Sequence, residues 1–208
     1  MDSLDPLNVE AAVKERLSEH RFNHSLSVAE TAVRMAEAYG TDQSEARLAG
    51  LLHDWDRGLP IAELIRKAKQ YGIEIPDDPG GLLHAHTAAR TVAEMYPMLS
   101  TDVIQAIDRH TVAAPGMSNL DMIIYVADMI EPTRSFGDTD HFGQLELLRG
   151  RVGRYTLEAI FISALQMTLD YLRDSHLPID PRSFAAMADI VDRSKHFQNR
   201  TRYSQEDK

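Results

Sequence analysis

Apolar residues recur at three- and four-residue spacing along almost the whole chain, and no run alternates apolar and polar over the length of a strand. That spacing places successive apolar side chains on one stripe of a helix, whereas a half-buried strand needs a period of two. Val28, Ala29, Ala32, Val33, Met35 and Ala36 form one such stripe. Its helix, over about 22–39, stops at Gly40, a residue suited to the left-handed conformation that closes helices. No hairpin dipeptide separates apolar runs. The chain is therefore expected to be all-α.

Proline and glycine set the other boundaries. Asp5 before Pro6 reads as an N-cap and first helical residue, opening a helix to about residue 18. Further helices are expected over about 41–55, 61–71 (a surface helix closed by Gly72), 83–95, 101–111 and 119–130, the last ending before Pro132. IPDDPGG at 75–81 and SFGDTD at 135–140 read as loops, with a short helical stretch around 141–149. Two C-terminal helices are expected over about 155–175 and 181–197. The polar tail, 198–208, is expected to be frayed and disordered. A length of 208 residues favours one domain, read here as an N-terminal helix (1–20), a central core (21–135) and a C-terminal helical extension (136–197). Leu157, Ile160, Phe161, Ala164, Leu165, Thr168, Leu169 and Leu172 make a broad stripe. It is expected to pack on the domain, a homodimer face being the alternative use.

The chain contains no cysteine. Disulfides, thiolate catalysis and thiolate metal sites are excluded, and any metal must be held by histidine and carboxylate. With 22 Lys+Arg against 32 Asp+Glu, the formal charge is −10, which argues against nucleic acid or an anionic membrane as partner. A small phosphorylated substrate stays compatible, because a bound cation inverts the local potential. No apolar run approaches a membrane span, and MDSLDPLNVEAAV lacks the basic and apolar regions of a signal peptide. A cytoplasmic protein is expected.

Chemistry concentrates first at LAGLLHDWDRG, 48–58, an apolar helix running into the pair His53–Asp54. Burying a carboxylate beside an imidazole is costly unless something compensates, most readily a metal cation. Neighbouring helical positions diverge by about 100°, so both can reach one ion only near a helix end or kink. The pair alone has a bland reading, a C-terminal histidine facing the helix dipole. Its companions change the balance. His24 shares a helix side with Val28, Ala32 and Met35; His110 follows Val103, Ala106 and Ile107; Asp128 follows Leu120 and Ile124; His84 begins the stripe Ala88, Val92, Ala93 and Tyr96. Taken singly, a core-facing histidine is more often a hydrogen-bonded structural residue. Separate helices each aiming such a group inward can satisfy them together only by converging, and imidazoles converging with carboxylates suit a divalent metal.

The order His24, His53–Asp54, His84, His110, Asp128 resembles that of the HD-domain phosphohydrolases. The blocks RFNHSLSVAETA, ARLAGLLHDWDRG, LLHAHTAA, AIDRHTVAAPGMSNLDMIIYVADMIEPTR and YLRDSHLPIDP are similar to those of the YqeK family within that superfamily, over roughly residues 10–190. The resemblance implies a single HD-domain helical bundle with the C-terminal helices packed on it, residues 21–135 being the metal-binding core. It implies two divalent or trivalent metal ions, commonly iron, with manganese, cobalt, nickel or magnesium as alternatives. The implied reaction is symmetrical hydrolysis of diadenosine tetraphosphate, a small nucleotide, to two ADP, with a metal-bridging hydroxide as nucleophile. His24, His53, Asp54 and Asp128 would hold the first ion, Asp54 would bridge, and His84 and His110 would complete the second.

Asp54 and Arg57 would then be catalytic. Arg57 stands where the family usually has lysine and brings a planar donor fork instead of a point charge. Thr111 and Arg134 are the other candidates for phosphate contact, a solvated surface position being the alternative for all three. Ala113 replaces a glycine that often closes the family's HTxG block. His86 has no counterpart in the family blocks and would point away from His84. His20, His141, His176 and His196 are expected at the surface, and Trp55 and Tyr125 in the core or pocket wall. Two other readings stay open: an HD phosphohydrolase acting on a deoxynucleotide monophosphate or guanosine tetraphosphate, and a nucleotide-binding module without turnover.

Overall fold

The computed structural model describes residues 6–76, 79, 81–134 and 139–206, with the side chains of 6–7, 139–143 and 196–206 excepted. Among them are ten helices and no strand: α1 (Pro6–Arg16), α2 (Glu19–Tyr39), α3 (Gln43–Leu52), α4 (Ile61–Tyr71), α5 (Leu83–Met95), α6 (Thr101–Arg109), α7 (Asn119–Ile130), α8 (Thr139–Arg151), α9 (Leu157–Asp174) and α10 (Pro181–Glu206). The all-α expectation holds.

Short polar side chains start the helices by accepting the N–H groups that a first turn leaves unpaired. Ser18 accepts from Arg21, Asp42 from Glu45, Ser100 from Val103 and Thr156 from Ala159. Ser118 and Asp121 form a reciprocal capping box on α7. Gly40 closes α2 in the left-handed region, at φ 68°.

The core lies between α2, α3, α6 and α7, where Val28, Ala32, Leu51, Leu52, Ile107 and Ile123 are fully buried. Gly50 lets α3 approach α2 closely, since a Cβ there would stand 2.6 Å from the Ala29 Cα. The α9 stripe is used within the chain: Leu157, Ile160, Phe161, Ala164, Leu165 and Leu169 are buried, and α9 packs on α7 and α10. No described helix is long and apolar enough to cross a membrane.

Several boundaries differ from expectation, each for a local reason. α3 ends at Leu52 rather than near Trp55, because successive i→i+3 bonds (Trp55 to Leu52, Arg57 to Asp54, Leu59 to Asp56) replace the α-helical pattern. α6 likewise ends at Arg109, leaving His110 as its C-cap. α4 is not merely a surface helix: Leu64, Lys67 and Ala68 are buried, and Leu64 and Ala68 form a second small cluster with Leu83 of α5. α10 continues to Glu206, beyond the expected end near 197, since no glycine or proline follows Pro181 to stop it. The expected N-cap Asp5, Asp77, Asp78 and Gly80 of the first loop, and residues 135–138 of the second fall outside the described residues.

Candidate metal centre

Two helices end on histidines in the same way. His53 is the C-cap of α3, and its Nδ1–H donates to the Gly50 carbonyl at 2.7 Å. His110 is the C-cap of α6, and its Nδ1–H donates to the Ile107 carbonyl at 2.8 Å. The last carbonyls of a helix lack intrahelical partners, so each bond satisfies one of them. Because a carbonyl only accepts, the proton must sit on Nδ1, and Nε2 is left with a free lone pair. His53 Nε2 is buried without a hydrogen-bond partner, an expensive arrangement for a polar atom unless a ligand satisfies it.

Asp54 follows in the tight turn, its two oxygens facing different imidazoles. Oδ2 lies 3.7 Å from His53 Nε2 and 4.0 Å from His24 Nε2. Oδ1 lies 3.2 Å from His84 Nε2 and 3.8 Å from His110 Nε2. Burial alone would push the Asp54 carboxyl up, but His53, His110 and His84 hold it well below the usual carboxylate range. The expectation that both residues of the pair share a site only at a helix end is met.

His24, inside α2, reaches α7. Its Nε2 is 3.0 Å from Asp128 Oδ1, and its Nδ1–H donates to Glu131 Oε1 at 3.2 Å. Burial pulls the His24 pKa down, but the hydrogen bonds to Asp128 and Glu131 outweigh it and raise the pKa to about 9. Glu131 is fully buried and also accepts from the Thr133 backbone N–H and hydroxyl. Its position is fixed from α8, where Arg149 donates to the carbonyls of Ile130, Glu131 and Arg134 at 2.7, 2.7 and 3.2 Å.

His84, in the first turn of α5, is oriented differently. Its Nδ1 accepts from Arg57 Nη1 at 3.1 Å, while its Nε2 lies 3.1 Å from His110 Nε2. Burial pushes the pKa of both His84 and His53 down to about 4, so both are neutral at pH 7. Arginines stand around the carboxylates: Arg21 Nη1 is 3.6 Å from Asp54 Oδ2, and Arg134 Nη1 donates to Asp128 Oδ1 at 2.9 Å.

These residues fit a metal centre. His24, His53 and Asp128 each offer a ligand atom within 4.8 Å of the others, as do His53, Asp54 and His110. The His84–His110 separation of 3.1 Å is also what two imidazoles sharing one ion require, since neighbouring ligands at about 2.1 Å from a metal lie roughly 3 Å apart. Neutral imidazole with carboxylate and no thiolate suits iron, zinc, manganese and similar ions.

All six residues read from the sequence come together beside one cavity of about 550 Å³, of which His24, Asp54, His84, His110 and Asp128 are lining residues. Arg57, Thr111 and Arg134 line it too, and the buried Thr111 hydroxyl has no hydrogen-bond partner. Tyr125 is in the cavity wall; Trp55 is in the core, edge-on to Tyr96. His86 turns away and pairs with Asp108 at 2.8 Å. His176 is exposed, while the side chains of His141 and His196 lie outside the described residues. His20 is exposed as expected but also lines the cavity, because it sits one turn before His24 on the same helix face. Sequence reasoning missed Arg21, Glu131 and Arg149. Only the glutamate carried a local signal, an acidic residue wedged between the apolar end of α7 and Pro132.

The HD domain family model matches residues 21–133. A symmetrical bis(5'-nucleosyl)-tetraphosphatase of Bacillus subtilis is 32% identical over 84% of this chain and 91% of that protein. One of Halalkalibacterium halodurans is 37% identical over 86% of this chain and 93% of that protein. A crystal structure described as a predicted HD superfamily hydrolase involved in NAD metabolism, from Clostridium acetobutylicum, superposes with a TM-score of 0.81 at 29% identity, covering 92% of this chain and all of that one.

Proposed function

The chain belongs to the HD-domain family, and we propose that it is a metal-dependent hydrolase cleaving diadenosine tetraphosphate symmetrically into two ADP. The observation that carries this reading is Asp54, whose two oxygens face separate pairs of histidines, the arrangement expected of a carboxylate bridging two cations. The tetraphosphatase relatives, which this chain spans almost end to end, support the substrate. In this reading His24, His53, Asp54 and Asp128 would hold one ion, and His84 and His110 would complete the site of a second with Asp54. Iron is the first candidate metal.

Bound ions of this kind acidify water to give a nucleophile at neutral pH and offset charge on the phosphates. The chain's own residues do the positioning. Glu131 keeps the His24 proton on Nδ1, and the Gly50 and Ile107 carbonyls do the same for His53 and His110, so Nε2 is presented in each. For His84 to present Nε2, its proton has to move to Nδ1, where it would face the Arg57 donor. Arg57 therefore has to turn away from His84, and a phosphate oxygen in the cavity is a matching acceptor for its fork. Arg134 and the unbonded Thr111 hydroxyl supply further donors.

Incubating anaerobically metal-loaded protein with diadenosine tetraphosphate and resolving the products tests the reaction. ADP as sole nucleotide product is expected; unchanged substrate, or ATP with AMP, overturns it. Elemental analysis of the same preparation is expected to give two ions per chain. A panel including deoxynucleotide monophosphates and guanosine tetraphosphate separates the related phosphohydrolase readings.

A further inference from the structure

The cavity is larger than a metal–phosphate site needs. Its volume of about 550 Å³ corresponds to roughly eighteen waters at about 30 Å³ each, and two ions with the phosphates they touch displace only part of that. Its lining is also two-sided. The ligand cluster, Arg57, Thr111 and Arg134 make one part polar, with carboxylates and arginines both represented. Met167, Thr168, Tyr171 and Leu172 of α9 line the same cavity, with Met129 and Tyr125 of α7 beside them.

The four α9 residues form one strip, since 167 and 171, and 168 and 172, are each one turn apart. The strip is tied to α7. Tyr125 donates to the Thr168 hydroxyl at 3.0 Å and packs edge-on against Phe161, and the Thr168 hydroxyl donates to the Ala164 carbonyl. The hydroxyls that could have made this wall polar at Tyr125 and Thr168 are thus bonded to each other. What Met167, Tyr171 and Leu172 present is thioether, phenol ring and aliphatic carbon, and Tyr171 is 42% exposed despite its size. The α9 residues of the wall lie beyond residues 21–133, the part of the chain matched by the HD domain, so the metal-binding core does not account for them.

We propose that this α9 wall is a nucleobase site, with the base stacked on Tyr171 and Met167 while the attached phosphates reach the metal side of the same cavity. Flat, weakly hydrated rings joined by a short sugar–phosphate link to an anionic group match both sides at once. Aromatic and thioether surfaces favour such rings through stacking and sulfur–π contact. The inference rests on the proposed phosphohydrolase reading and assigns to one nucleoside of its substrate the part of the cavity the metal centre leaves over.

The test compares AMP with ribose 5-phosphate, which lacks only the base, by calorimetry on the metal-loaded full-length protein. The wild type is expected to bind AMP between about 5- and 150-fold more tightly, the range for one stacked base. Tyr171→Ala combined with Met167→Ala is expected to bring that ratio close to one without weakening ribose 5-phosphate. Tyr171→Phe, which keeps the ring, is expected to retain the preference. Circular dichroism confirms that each variant is folded. Equal affinity of the wild type for both ligands, or an undiminished ratio in the folded double variant, overturns the base site. Failure to cleave diadenosine tetraphosphate with the AMP preference intact would instead sink the reaction and leave the base site standing.

Discussion

Asp54 and Asp56 lie two residues apart in one tight turn, both buried, and the chain treats their charges in opposite ways. Asp56 receives its counter-ions from the protein. Lys67 Nζ donates to its oxygens at 2.9 and 2.7 Å, Arg16 Nη2 at 3.1 Å, and the Thr91 hydroxyl at 3.3 Å. Those partners come from α4, α1 and α5, so one carboxylate ties the turn to three helices. Arg16 adds a bond to the Trp55 carbonyl and lies over the indole ring. Around Asp54 the neighbours are instead imidazoles, another carboxylate at Asp128 and arginines that are about one-third exposed at the rim. One buried histidine nitrogen there has no hydrogen-bond partner. The first cluster is complete as folded and serves stability; the second keeps an unpartnered nitrogen at His53 and suits a cation.

Opposite consequences follow for substitution at the two carboxylates. Asp54→Ala is expected to reduce activity at least about a thousandfold, the scale of several kcal/mol that metal ions supply, and to lower metal content by elemental analysis. The chelated variant should lose less stability than Asp56→Ala does, because no buried lysine is left without its counter-ion. An active, fully metal-loaded Asp54→Ala protein would erase the distinction between the two sites. Asp56→Ala leaves Lys67 buried without its main counter-ion and is expected to cost about 3–5 kcal/mol in urea unfolding. Replacing both partners, Asp56→Leu with Lys67→Met, should recover most of that loss. A single variant as stable as the wild type would mean that the Asp56 cluster is not structural.

The pH dependence of the metal-free protein sharpens the contrast. His24 titrates near 9 in the fold against 6.5 in the unfolded chain, so its imidazolium stands in as the cation between Asp128 and Glu131. A raised pKa contributes stability fully below 6.5 and loses it as pH rises through 9, here on the order of 3 kcal/mol. Urea midpoints of chelated protein between those limits should show the decline. Metal addition at pH 7 should release the His24 proton, measurable by calorimetry in buffers of different ionisation enthalpy. The smallest effect is expected for Glu131→Gln, which keeps the shape but weakens the hold on His24. Metal affinity, read by chelator competition, should fall about 10- to 100-fold. Undiminished affinity would remove Glu131 from the centre.

Much of this was legible in the residue order. Stripe positions placed His24, His84 and Asp128 on inward helix faces, and the polar DRG after His53–Asp54 announced a helix end there. Lys67 carried an unused signal: it falls on the stripe of Leu64, Ala68 and Tyr71, where an unpaired lysine has no place, so a buried partner was implied. Asp56, Arg16 and Arg149 gave no such sign. Nothing local distinguishes an arginine facing solvent from one donating to a remote partner, because that partner lies 15 to 40 residues away.

The sequence by itself determined the helices, their caps and the inventory of ligand-type side chains. Those depend on bonds between residues three or four apart and on a period of 3.6 residues. Only the tertiary structure decided that the two oxygens of Asp54 face different histidines, that Asp56 is neutralised from within, and that α9 supplies an apolar wall to the cavity the ligand cluster lines. Coulomb and hydrogen-bond energies depend on distances of a few ångströms between atoms far apart in the chain, and those distances exist only once the helices have packed.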